Sequence, residues 1–106
     1  MIRYQIISTG SMGNAVVIED KILIDCGVPF RALEKVYRGL QLVLLTHIHG
    51  DHFNRACIRR LACERPLVRF GCGRWLVEAL IGCGVDAGRI DIFDFDRQYR
   101  YGFVTL

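Results

Sequence analysis

The chain has 106 residues, enough for one domain with a modest core. A hydrophobic share of 52% and a mean hydropathy of +0.27 predict some apolar surface that seeks a partner, yet no run is long enough to span a bilayer, so no membrane role is expected. The net charge of +3 is mild, and nearly all of the basic residues are arginine, the side chain suited to bidentate contact with phosphate.

Met1-Ile2-Arg3-Tyr4-Gln5 runs straight into a strand pattern and lacks the zones of a signal peptide, so a cytoplasmic location is expected. Ile2 to Ser8 and Ala15 to Glu19 read as strands joined through Gly10-Ser11-Met12-Gly13-Asn14. Lys21 to Asp25 pairs back after a tight reversal, which makes an antiparallel meander. Gly27 and Pro29 open a predicted helix with Phe30, Leu33, Val36, Tyr37 and Leu40 on one stripe and Gly39 at its end. Leu42 to Thr46 is a short apolar run of the kind that a central strand, buried on both faces, produces.

Asn54 suits the N-cap of a helix to about Cys63 that buries Cys57, Ile58 and Leu61, and Pro66 stops it. Leu67 to Phe70 reads as a strand. Gly73 to Cys83 reads as an amphipathic helix carrying Trp75, Leu76, Ala79, Leu80 and Cys83, closed by Gly84. Ile90 to Phe95 alternates apolar residues with Asp91, Asp94 and Asp96, which are expected to point outward as solvated carboxylates, and Tyr99 to Leu106 is strand-like. Strands first, then strand and helix alternating, predict an α+β domain layered like an α/β fold, with one mixed sheet and helices on one face.

The chemistry concentrates after the central strand. His47-Ile48-His49-Gly50-Asp51-His52 holds all three histidines of the chain. Carried past the strand end with period two, His47, His49 and Asp51 point the same way, and Gly50 permits a turn that brings His52 to them. Imidazole nitrogen and carboxylate oxygen are ligands that zinc-like ions take at roughly 2.0 to 2.2 Å. A single histidine at a strand end is usually a hydrogen-bonded polar residue, but packing alone has no use for four adjacent ionisable groups at this spacing. Five cysteines, an odd number without any Cys-x-x-Cys pair, argue against a disulfide framework or a thiolate zinc site; they read as small buried hydrophobes, with Cys26 as an alternative minor ligand or oxidation-sensitive thiol. Arg55 and Arg59 fall four apart on one helix face and are candidate phosphate contacts, against the plainer reading of a solvated face.

The motif, together with Gly10 to Asn14 and Ile24-Asp25-Cys26-Gly27, resembles the N-terminal half of the metallo-beta-lactamase-fold metallohydrolases, and the Gly-Ser-x-Gly-Asn turn looks most like their nuclease and phosphodiesterase branch. The resemblance implies one half of a four-layer αββα sandwich. It also implies two divalent ions in a complete enzyme, zinc first and manganese or iron as alternatives, with His47 and His49 on the first, Asp51 and His52 on the second, and Asp51 in the catalytic role. Asp25 resembles the aspartate that braces the motif loop. One departure is Arg55, where many relatives carry glycine.

The family domain is about twice this length, so the chain reads as a truncated product whose remaining ligands would lie beyond it and which is inactive by itself. The function expected from the resemblance is hydrolysis of a phosphodiester or nucleic acid. The alternatives are lactonase, thioesterase or beta-lactamase chemistry, or a catalytically inactive remnant that binds metal or oligomerises. An exposed inner sheet face would favour self-association.

Overall fold

The computed structural model describes residues 2–10 and 13–93, together with the backbone of 100–101 and 104–105. Six strands form one mixed sheet in chain order: β1 (Tyr4–Ser8), β2 (Ala15–Ile18), β3 (Ile22–Ile24), β4 (Leu42–Leu45), β5 (Arg69–Cys72) and β6 (Ile90–Ile92). The first two pairings are antiparallel, as a meander requires, and the next three are parallel. Parallel neighbours need crossovers. Helix α1 (Arg55–Glu64) makes the one from β4 to β5, and α2 (Val77–Gly82) lies in the one from β5 to β6. Strands β7 (Arg100–Tyr101) and β8 (Val104–Thr105) form a separate antiparallel pair. No helix among the described residues is long and apolar enough to cross a membrane.

The period of two sorts the strand residues into two faces. Val17, Leu23, Val43 and Phe70 lie side by side in register, are almost wholly buried, and join Leu33, Leu40, Ile58, Leu61, Leu76 and Leu80 in one core. The alternate row, Ile6, Val16, Ile24 and Leu44, is exposed at its β1 end and half-buried elsewhere; Ile22 and Leu42 on that face are buried but stand outside the core cluster.

Several elements differ from their sequence readings. The segment after Pro29 is two 3₁₀ turns, Phe30–Leu33 and Tyr37–Gly39, and not an α-helix. Its apolar residues at 30, 33 and 36 repeat every third position, a spacing that fits three residues per turn as well as 3.6, and Leu33 and Leu40 are its buried anchors. Strand β5 starts two residues later than expected: Val68 N–H closes a turn onto the Arg65 carbonyl, and Leu67 is 91% exposed. That turn is held by Arg89, whose guanidinium donates to the carbonyls of Ala62, Arg65 and Val68 at 3.1, 2.8 and 3.0 Å.

The stretch Gly73 to Cys83 begins as a 3₁₀ turn, Arg74–Leu76, before α2, and leaves Trp75 65% exposed instead of in the core. Gly84 ends it in the left-handed region at φ 93°, as expected of a C-terminal glycine. Asp91 is not a free solvated carboxylate: it makes a bidentate pair with Arg69 at 2.8 Å through each oxygen. Asp94 and Asp96 lie outside the described residues. Asn54 caps α1 as expected, its side chain accepting from Cys57 N–H at 3.0 Å.

Candidate metal centre

Parallel pairing brings the ends of β3 and β4 together, and the chemistry sits there. Asp25 leaves β3 in the left-handed region at φ 61°, donates its N–H to the Leu44 carbonyl at 2.8 Å, and is 7% exposed. Its carboxylate collects three donors. Oδ1 accepts from Thr46 N–H at 2.9 Å and from the Thr46 hydroxyl at 2.8 Å, and Oδ2 lies 2.8 Å from His52 Nδ1.

These contacts settle where the ring hydrogens are. A carboxylate only accepts, so His52 carries its hydrogen on Nδ1 and, as a neutral ring, keeps a lone pair on Nε2. The Thr46 hydroxyl also lies 2.7 Å from His47 Nδ1. Since that hydroxyl gives its one hydrogen to Asp25, its oxygen accepts from His47 Nδ1–H, and Nε2 of His47 is likewise left as a lone pair. The two rings stand 4.5 Å apart between centroids, tilted by 43°. One buried carboxylate therefore sets the tautomer of two imidazoles, directly for His52 and through Thr46 for His47.

The motif loop is pinned on its other side by Asn14. Asn14 N–H donates to the Asp51 carbonyl at 2.6 Å, and its side-chain amide donates to the same carbonyl at 2.9 Å and lies 3.5 Å from Asp51 Oδ2. Cys26 N–H donates to His52 O and Asn54 N–H to Cys26 O, an isolated parallel bridge that carries the β3 strand direction alongside the motif. Gly27 packs so closely on Asp51 that a Cβ there would collide with its carbonyl. The turn itself closes through His52 N–H onto the His49 carbonyl at 2.9 Å. Gly50 does not use a positive φ in it; an ordinary turn suffices.

Asp25, His47 and His52 each place a ligand-type atom within 4.8 Å of the others, and this cluster could hold a metal ion. The chemistry of the donor set gives the carboxylate a different part from the rings: both Asp25 oxygens already accept short hydrogen bonds, whereas each ring turns Nε2 away from Asp25, that of His52 lying 3.4 Å from the Asn14 side-chain amide. Asp51 Oδ2 lies 3.5 Å from His52 Nε2. Two atoms sharing one ion at about 2.0 to 2.2 Å each can be no more than about 4.4 Å apart, so this pair fits one ion. The donors present suit a divalent metal.

Compared with protein-family models and with curated proteins, the chain matches none. Of the four motif residues singled out by spacing, the structure groups His47 and His52 with Asp25 and sets Asp51 beside His52. His49 is exposed on the turn, outside that cluster. Arg55 is exposed, with its guanidinium 5.3 Å from the Phe53 ring; Arg59 donates to the Gly82 carbonyl at 3.3 Å, toward α2. Spacing alone missed Asn14 and Thr46 as positioning residues, although both stand inside the two motifs that drew attention. Cys26 turns its thiol to Cys57, with Sγ atoms 3.3 Å apart in the core; the bond to Cys57 and burial push its pKa well up, which ill suits a ligand.

Proposed function

We propose that this chain carries the metal-binding part of a metal-dependent hydrolase of the metallo-beta-lactamase type, acting by preference on phosphodiesters. The observation that carries the reading is the single carboxylate of Asp25 that orients both His47 and His52 through their Nδ1 atoms, next to the Asp51 carboxylate. By the resemblance His47 with His49 would hold one divalent ion, and Asp51 with His52 a second; zinc fits the imidazole and carboxylate donors first, then manganese or iron. A bound ion would supply Lewis acidity toward a phosphoryl or carbonyl oxygen and a lowered pKa for water. The chain's own residues do the rest. Asp25 and Thr46 keep the imidazoles from turning, Asn14 holds the Asp51 backbone, and the partly exposed Asp51 carboxylate would accept a hydrogen bond from an attacking water.

Lactone, thioester or beta-lactam hydrolysis would use the same centre and differ in the pocket around it. A second reading, a metal-binding module without turnover, is favoured by one fact: among the described residues the ligand-type side chains brought together are Asp25, His47 and His52, with His49 exposed outside them. Calorimetric titration with zinc and with manganese, on the wild type and on His52→Ala, separates these readings when paired with a turnover assay on bis(p-nitrophenyl) phosphate. Binding abolished by the substitution supports the metal centre, and turnover supports the hydrolase. No ion taken up by the wild type would sink both.

A further inference from the structure

A second feature lies away from the histidines, along the seam between the first 3₁₀ turn and α1. The rings of Phe30 and Tyr37 meet at 4.9 Å between centroids, tilted by 55°. Each is flanked by a guanidinium: Arg60 stands 4.5 Å from the Phe30 ring and Arg38 5.1 Å from that of Tyr37. Arg38, Tyr37, Phe30 and Arg60 thus form a row, or ladder, of planar groups that bends where the two rings meet at an angle. It lines an open groove of about 310 Å³, with Glu34 as the fifth wall residue. A second groove of about 280 Å³ shares Phe30 and Arg60 and extends to Asn54, two residues beyond His52.

We propose that this ladder is a binding surface for single-stranded nucleic acid. Bases stack on guanidinium planes as well as on aromatic rings, and the N–H edges of the same arginines meet phosphate, so an aromatic pair with a guanidinium at each end offers planes to bases and donors to the phosphates beside them. The charge agrees. Segment 30–38 exposes Arg31, Lys35 and Arg38 against the lone carboxylate of Glu34, and Arg60, paired with Glu64 at 3.3 Å, still leaves its side chain 61% exposed. A duplex keeps its bases stacked inside and would offer the rings nothing; an acidic peptide would use the charge but not the planes. The proposal rests on different residues from the metal centre and stands whether or not that centre binds an ion.

Fluorescence anisotropy of a fluorescein-labelled oligothymidylate, at low salt and with EDTA present, tests it on the whole chain. The wild type should give saturable binding that Arg38→Glu and Arg60→Glu each weaken by roughly tenfold, while Arg74→Glu, the same charge change on an exposed residue elsewhere, weakens it by under about twofold. Tyr37→Leu should weaken binding by about fivefold or more, and Tyr37→Phe should leave it unchanged, which guards against a folding effect. Absence of wild-type binding would overturn the proposal. So would equal losses for Arg74→Glu and Arg38→Glu, equal affinity for a duplex of the same length, or displacement by polyglutamate at matched charge.

Discussion

Asp25 Oδ2 lies 2.8 Å from His52 Nδ1, and the same carboxylate receives both the backbone N–H and the hydroxyl of Thr46. The contact joins the end of β3 to the far side of the motif turn, 27 residues on. At φ 61° Asp25 occupies the left-handed region, which aspartate tolerates better than most side chains, and its carboxylate's three donors hold it there.

Asp25→Asn therefore has two expected effects. The amide can present its oxygen to Thr46 or to His52 but cannot accept from all three donors, so metal-free stability should fall by about 2 kcal/mol or more in urea unfolding. Metal affinity should fall by about 10- to 100-fold, because His52 loses the acceptor that fixes its ring. Unchanged metal affinity in a titration would show that Asp25 has no part in orienting the ligands.

His47→Ala should behave differently. The residue is exposed at a strand end, so the metal-free protein should lose under about 1 kcal/mol while metal uptake drops. A metal-free loss of about 3 kcal/mol or more would mark His47 as a structural hydrogen-bonding group and end its assignment as a ligand.

Arg89 holds three carbonyls at the junction of α1 and β5. Arg89→Met keeps the stem that packs there but removes every donor, and should cost about 2 kcal/mol or more. Hydrogen exchange should show the last turn of α1 opening first. Protection unchanged at Leu61 to Arg65 would exclude this role.

Thiol titration with a disulfide reagent should find one fast cysteine, Cys63, which is exposed; Cys26, Cys57, Cys72 and Cys83 are buried. Burial, with the Asp91 charge, raises Cys72 to about 11, and Cys26 is pushed up by Cys57 and burial. Raised values keep both thiols protonated at mildly alkaline pH, so their reaction should await unfolding. Two or more fast thiols in the native protein would contradict this packing.

Self-association is expected through the β1 end of the sheet, where Tyr4 is 68% and Ile6 57% exposed on an edge strand. At about 25 cal/mol per Å², covering a few hundred Å² of apolar surface is worth several kcal/mol. Sedimentation at micromolar concentration should show association that Ile6→Lys weakens. A compact wild-type monomer would refute it.

The sequence by itself determined the meander, the central strand Leu42–Leu45, the α1 cap at Asn54 and the place of the histidine cluster, because each depends on near neighbours: period two, a side chain three residues from the N–H it caps, one short turn. It could not choose between helix types where apolar residues repeat every third position, nor place the start of β5, which waits on Arg89, 21 residues beyond Val68 in the chain. The centre divides the same way. Spacing located His47, His49, Asp51 and His52, but the parallel register of β3 on β4 decided which of them meet Asp25, and only that register puts the Thr46 hydroxyl between a carboxylate and an imidazole. Ligand type is a property of single residues and local spacing; tautomer and orientation come from contacts between strands distant in the chain, and tertiary structure alone makes them.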